Sequence, residues 1–427
     1  MQNESGKPQR KIFYGWWVVA LSLVIMTAAY GIYYAWPVFY VPILNEFGWS
    51  RAETALIFST TAIVYMLASP VSGILFDKLG PRKIFPVSAA VIAIGALGCS
   101  QASEIWQFCI FMGVLVAIGT GFAGFVPNLA LVSAWFEKKR ATAVGISQMG
   151  TRDSFLLTPL IQMAILALGW RHSFQVLAAA TAIVIMPLSL FLRAKPQDMG
   201  LMPDGGTVVK TKGETEPGND DNHIVNREKA STGPTLLSAL RNYRFWAIFT
   251  LMFGAGFTFT ALLNHFVALI TDVGFTAMFA ANLFLIYAIT SMTGRACGFI
   301  ADIIGREIAF MLSMVLMLLP LPVLLITKDT SAPWTLYVFI TCFGFGSGMY
   351  TPAYTAIAAD LFQGKHFGAI IGTANMGYGI SASFGTWLYG YIFDMTGAYT
   401  IAIVIAMFSV GIMCIAIWVA SPRKGKR

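Results

Sequence analysis

Twelve apolar runs follow one another along this chain, and each is long enough to cross a lipid bilayer. At about 1.5 Å of rise per helical residue, about 20 residues cover a hydrocarbon core of about 30 Å. The runs fall at 15–40, 52–76, 84–102, 105–134, 141–168 and 172–193, then at 243–270, 275–300, 307–327, 333–359, 367–392 and 398–420. Within lipid every backbone N–H and C=O must find a partner in its own segment, so runs of this length read as helices. Composition agrees: 57% of the residues are hydrophobic and 11% charged, against about a quarter charged in a soluble domain. The expected fold is an all-α membrane protein with twelve transmembrane helices.

Charge placement sets the expected orientation. Of the 28 Lys and Arg residues, only Arg51, Arg171 and Lys328 fall in loops that join odd to even runs, while Arg152 and Arg295 fall inside runs. The remainder lie at the termini or in even-to-odd loops. Under the positive-inside rule both termini and the long central loop are cytoplasmic, and the chain is expected in the cytoplasmic (inner) membrane as a multi-pass monomer. The net charge of +8 follows from this topology, and basic residues spread over every cytoplasmic segment do not make a nucleic-acid face. The first run opens at Tyr14-Gly-Trp-Trp with no small-residue cleavage site and is expected to be retained. Cys99, Cys109, Cys297, Cys342 and Cys414 are scattered within runs and lack ligand spacing, so no metal is expected.

Between the sixth and seventh runs the composition changes to KTKGETEPGNDDN and its surroundings, which reads as a flexible linker over 195–236. It separates an N-terminal six-helix bundle, 1–194, from a C-terminal one, 237–427. The two halves echo each other. Gly73-Ile-Leu-Phe-Asp77-Lys-Leu-Gly80 is matched in the second half by Gly298-Phe-Ile-Ala-Asp302-Ile-Ile-Gly305, each with basic residues following. At almost the same offset along the chain, Gly145-Ile-Ser-Gln-Met-Gly150 is matched by Gly372-Thr-Ala-Asn-Met-Gly377. A parallel repeat of two six-helix halves is an alternating-access architecture with its substrate site near the midplane.

With those motifs the chain resembles the major facilitator superfamily of secondary transporters over nearly its whole length. The G-x-x-x-D-x-x-G-x-R-K loop after the second run is the signature of that superfamily. Tyr14-Gly-Trp-Trp-Val-Val, Glu46-Phe-Gly-Trp-Ser-Arg51 and Pro196-Gln-Asp-Met-Gly-Leu-Met-Pro-Asp-Gly205 are similar to the monocarboxylate and oxalate/formate branch. The resemblance implies a small organic anion as substrate, moved with a proton or in exchange for a counter-anion. It also implies gating by Gly73, Asp77, Gly80 and Arg82 and by their echoes Asp302 and Arg306: small residues allow close packing, and a carboxylate at a helix end engages basic partners in a latch. Two features depart from the branch: Arg295 stands three residues before Gly298 where the branch often has an Arg four before, and the eleventh run has no internal Lys.

Charged groups near the midplane are costly and are retained where they face a cavity or a partner. Arg152 lies eleven residues past Ala141, about 16 Å into the membrane. Its planar fork suits a carboxylate. Asp153 is then either a counter-ion or a proton acceptor, and both residues serving only as helix-to-helix ties is the alternative. Gln148 lies one turn before Arg152, and the repeat places Asn375 at the equivalent point of the eleventh run with Tyr378 following. Tyr30 and Tyr33 in the first run either line an access path or anchor at the interface. His265, near the outer end of the seventh run, is a gate, a proton relay or a hydrogen-bonded helix-end histidine. Arg295 either meets substrate or snorkels to the surface.

No phosphate-binding G-x-x-x-x-G-K-S/T loop, H-E-x-x-H or cysteine cluster is present, so neither an enzyme nor a cofactor is expected. The resulting expectation is secondary transport of a monocarboxylate by proton symport or anion exchange. Efflux of amphipathic compounds and a non-transporting sensor on a carrier fold are the alternatives.

Overall fold

The computed structural model describes residues 13–136, 139–151, 153–205, 234–297, 300–362 and 367–420. Twelve helical spans follow in order: α1 Tyr14–Phe47, α2 Arg51–Leu79, α3 Pro81–Gln101, α4 Ile105–Trp135, α5 140–151 with 153–168, α6 170–191, α7 Tyr243–Asp272, α8 Ala277–Ala296 with Ile300–Ile304, α9 Arg306–Ile326, α10 Trp334–Phe362, α11 Phe367–Thr396 and α12 Thr400–Ala420. Local chemistry sets their ends. The Ser50 hydroxyl accepts from Glu53 N while the Glu53 carboxylate accepts from Ser50 N, a reciprocal cap on α2. Thr276 caps α8 at the equivalent point of the second half. Gly169, at φ 79°, divides α5 from α6, and Gly80, at φ 71°, reverses the chain after α2.

The echo of the two halves extends to packing. A Cβ at Gly150 of α5 would lie 2.6 Å from the Leu23 carbonyl of α1, and one at Gly377 of α11 would lie 2.8 Å from the Phe249 carbonyl of α7. Gly119 of α4 sits in the same way on Ser88 of α3, and its counterpart in the second half, Gly346 of α10, sits on Ser313 of α9. Lipid offers no hydrophobic drive between helices, so backbones that approach this closely gain their contact from van der Waals packing.

One expected helix is corrected. The run 141–168 reads as continuous, yet the α-helix stops at Met149, turns through Gly150 and Thr151, continues as a 3₁₀ segment over Asp153–Leu157 and becomes α-helical again at Thr158. The close glycine contact is common to both helices; what differs is that the Ser154 hydroxyl donates across to the Thr27 carbonyl of α1 at 3.0 Å, whereas Ser381 of α11 donates to Tyr378 of its own helix. The Thr151 hydroxyl turns back to the Gln148 carbonyl at 2.9 Å. The partner helix α11 runs unbroken through the matching stretch.

The halves meet along α1–α7, α2–α11 and α5–α8. On the α2–α11 seam the contact begins where Gly390 faces the Arg51 backbone, passes through the Ser59 hydroxyl donating to the Ser383 carbonyl at 2.7 Å, and reaches Met66 against Gly379. It ends there. Gly372 lies two turns further along the same stripe of α11 and is exposed, and a Cβ on it would meet nothing within 4 Å. Its echo Gly145 on α5 is equally open. The 140–149 segment of α5 packs chiefly on α1 and α4 of its own half. The two halves are therefore closed at the Arg51 end and parted at the Asp77 end.

Candidate functional site

Where the closed and open parts of the seam meet, a small, narrow cavity lies between the halves. It draws on both halves: Tyr34 of α1, Phe58 of α2 and Phe155 of α5 face Phe259, Thr260, Leu263 and Asn264 of α7, Tyr287 of α8 and Tyr378 of α11. Three of these helices depart from regular geometry as they pass it. The first bends between Tyr34 and Trp36, ahead of Pro37. The fifth carries the 3₁₀ segment that presents Phe155. The seventh widens into a π-turn over Gly256–Ala261, which carries Phe259 and Thr260. Single π-turns inside α-helices frequently mark functional positions.

The aromatic rings are set in fixed relation. Phe155 stacks on Phe284 at 5.0 Å and 6°, meets Tyr287 edge-on at 5.5 Å and tilts against Tyr34 at 4.8 Å, so one α5 side chain joins α1 to α8. The Tyr378 and Thr260 hydroxyls are 2.7 Å apart. The Asn264 amide donates to the Thr386 hydroxyl at 3.1 Å, and the Ser347 hydroxyl donates to Tyr287 at 3.1 Å. No charged side chain lines the cavity among the described residues.

The residues singled out from the sequence separate into groups. Arg152 and the side chains of Asp153 and Asp302 lie outside the described residues; the backbone of Asp153 opens the 3₁₀ segment, two residues before Phe155. Tyr378 is at the cavity. Gln148 faces α4, donating to the Phe125 carbonyl at 3.4 Å, and its Oε1 is buried without a hydrogen-bond partner among the described residues. Asn375 is exposed one turn from Gly379, on the parted side. Tyr30 and Tyr33 are both buried: Tyr30 shares a 2.6 Å hydrogen bond with Tyr65, and Tyr33 packs edge-on against Phe58. Tyr34, their neighbour, is the α1 residue that reaches the cavity.

At the parted end, Asp77 is exposed, and Arg82 donates to the Leu190 and Leu192 carbonyls at the end of α6, at 2.7 and 2.9 Å. Asp77 and Arg82 are thus not paired with each other in this conformation. Gly73 lies against Val126 of α4. Arg306 begins α9, and Arg295 is half-buried near the end of α8, its backbone N close to Gly348 of α10.

The closed end carries an ionic cluster that the sequence reading passed over. Arg51 Nη2 meets Asp272 Oδ1 at 2.6 Å, its Nη1 donates to Tyr399, and its guanidinium lies 3.6 Å from the Phe393 ring centre. The backbone N–H groups of Arg51 and Ala52 donate to the two carboxylate oxygens of Asp394, at 2.9 and 2.8 Å, so an α11 carboxylate caps α2 where the helix dipole is positive. Beneath this cluster His265 is buried, with Nδ1 3.1 Å from the Tyr399 hydroxyl and Nε2 2.8 Å from the Thr386 carbonyl. Nε2 donates to the carbonyl, which can only accept, while the Tyr399 hydroxyl can either donate to Nδ1 or accept from it. The missed signal was the repeat: Glu46 and Asp272 occupy equivalent positions in the two halves. Glu46 pairs inside its own half with Arg171 and Trp170, whereas Asp272 pairs across the seam.

Two repeated six-helix halves, closed at one end, parted at the other and with a small cavity between them, define a secondary membrane carrier. The chain belongs to the Major Facilitator Superfamily, whose profile matches residues 21–299 and 296–427. It is 28% identical to monocarboxylate transporter 13 of Rattus norvegicus over 92% of this chain and 86% of that one. It is 25% identical to monocarboxylate transporter 2 of Homo sapiens over 90% and 81%, respectively. An uncharacterized MFS-type transporter of Bacillus subtilis, YcxA, is 23% identical over 94% of this chain and 93% of its own length. In fold the chain is similar to a D-xylose-proton symporter, with a TM-score of 0.73 at 14% identity, covering 96% of this chain and 99% of that one.

Proposed function

We propose that this carrier moves a monocarboxylate through the midplane cavity, by proton symport or anion exchange. The observation that carries the reading is the break in α5: regular helix stops at Met149, Asp153–Leu157 is 3₁₀ and presents Phe155 to the cavity, and Arg152 lies between them in sequence. A broken helix frees backbone groups and re-aims side chains where a membrane carrier binds its ligand. Named relatives that are monocarboxylate transporters over most of the chain support the substrate class. In this reading Arg152 holds the carboxylate, Tyr378, Gln148 and Asn375 orient it, and Asp153 takes the coupled proton.

The bundles 1–194 and 237–427 rock about the linker 195–236. With the basic loops in the cytoplasm, this conformation is the inward-open state, locked outside by Arg51, Asp272 and Asp394. The cytoplasmic partners Gly73, Asp77, Gly80 and Arg82, with Asp302 and Arg306, close that end in the other half of the cycle. His265, held between two partners, braces the outer lock.

Uptake of labelled lactate, pyruvate and benzoate into proteoliposomes, with and without a pH gradient, tests the function. Saturable flux of at least one acid is expected, abolished in Arg152→Gln. Carboxylate flux that survives Arg152→Gln intact would sink the site assignment.

A further inference from the structure

At the closed end a second cavity, of about 220 Å³, lies between the halves. Leu44 and Asn45 of α1, Arg51 of α2 and Asp272 of α7 line it, so the ion pair that joins the halves opens onto this space. The two carboxylates that meet Arg51 are held differently. Asp394 accepts from the Arg51 and Ala52 backbone at the start of α2, where the helix dipole favours an anion, and it is no part of the cavity wall. Asp272 is the last residue of α7, where the dipole disfavours one. Only its Oδ1 has a hydrogen-bond donor among the described residues, and its side chain is 36% exposed against 13% for that of Arg51.

Asp272 is thus a weakly held occupant of a cation that stays charged at any working pH, and it shows which chemical group that cation accepts. The guanidinium carries more N–H groups than Asp272 and Tyr399 use, and the exposed Asn45 amide has no protein partner among the described residues. A free carboxylate therefore finds donors on both sides of the cavity, while a displaced Asp272 turns to water. We infer that this cavity is an anion site, separate from the midplane cavity, that takes a small monocarboxylate in place of Asp272 on Arg51. Its occupation removes the tie between α2 and α7 and leaves the Asp394 cap, so the anion loosens the lock to which it binds. The site rests on the Arg51 cluster and not on Arg152, and it stands whichever solute the carrier moves. Because Asp272 is tethered beside Arg51, it competes at an effective concentration of about millimolar, and the free anion must reach about that range to replace it.

The test titrates acetate into the full-length protein carrying Arg152→Gln, which removes the anion site of the proposed function, and reads binding by saturation-transfer NMR at constant ionic strength. Acetate is expected to bind in the millimolar range and acetamide not at all. Asp272→Asn, which removes the tethered competitor, should tighten acetate binding by about tenfold or more, and Arg51→Lys, which keeps the charge but loses the planar fork, should weaken it by about tenfold or more. A second readout is a cysteine at the midplane cavity, Leu263→Cys in a background lacking the native cysteines, labelled with a membrane-impermeant maleimide from the Arg51 side. Acetate should speed that labelling by about two- to fivefold, the worth of one partly exposed ion pair, and should have no further effect once Asp272→Asn is present. Acetate affinity unchanged by Asp272→Asn overturns the displacement, and affinity unchanged by Arg51→Lys overturns the site. Chloride at equal ionic strength speeding the labelling as much as acetate also overturns it, since screening of the ion pair would then suffice. Absence of acetate binding even in Asp272→Asn overturns it outright.

Discussion

Arg51→Ala is expected to unlock the closed end of the carrier, and the size of the effect can be worked from its contacts. The Arg51 side chain is 13% exposed and that of Asp272 36%, so the ion pair is partly screened and contributes about 1 kcal/mol. The charge-assisted bond to Tyr399 adds about 1.5 kcal/mol and the Phe393 ring about 1 kcal/mol. Holding the long side chain in place costs about 1 kcal/mol. The net bias toward closure is about 2 to 3 kcal/mol, a factor of about 30 to 150 in the ratio of closed to open. Asp394 does not count in this sum, because it binds the Arg51 and Ala52 backbone and survives the substitution. The assay places a reporter cysteine at the cavity by Leu263→Cys in a background lacking the five native cysteines, and labels it with a membrane-impermeant maleimide from the Arg51 side. Labelling should accelerate at least tenfold in Arg51→Ala and further when Asp394→Asn is added. A rate unchanged in both variants would refute the view that this cluster holds the halves together.

Three further outcomes follow from the same geometry. Glu46→Gln, which breaks the pair with Arg171 inside one half, should leave Leu263→Cys labelling unchanged while lowering thermal stability by about 1 kcal/mol or less, measured as Tm in detergent. Gly150→Ala and Gly377→Ala each force a methyl against a carbonyl of the neighbouring helix and should cost about 1–3 kcal/mol, whereas Gly145→Ala and Gly372→Ala meet open space and should leave Tm within about a degree; equal losses in all four would contradict the packing described. His265→Ala strips partners from the Tyr399 hydroxyl and the Thr386 carbonyl and should lower Tm by an amount worth about 1–3 kcal/mol, with His265→Gln recovering part of it.

Much of this protein was readable before any coordinates. The apolar runs placed all twelve helices, because membrane thickness fixes a length and lipid forbids an unpaired backbone; for α2 and α3 the ends fall within a few residues of the expected ones. The G-x-x-x-M-G echo placed equivalent glycines on equivalent neighbours, since close backbone packing tolerates almost no other residue. Length and hydropathy are local quantities, however, and the site was not. The unbroken α11, whose Gly377 lies as close to its neighbour's backbone as Gly150 does, shows that the glycine pattern alone does not produce the break in α5; there Ser154 bonds across to α1 instead of within its own helix. Tyr34 of α1 reaches the cavity while Tyr30 and Tyr33 are buried among other aromatic side chains, a distinction that no apolar run shows. The Arg51 lock joins residues 221 and 343 positions apart, and its Asp272 is chemically the same residue type that pairs within its own half at Glu46. A sequence states which side chains a helix offers; which of them meet across the seam is settled when two repeated halves dock, because only docking brings opposite charges from distant helices within reach of one another.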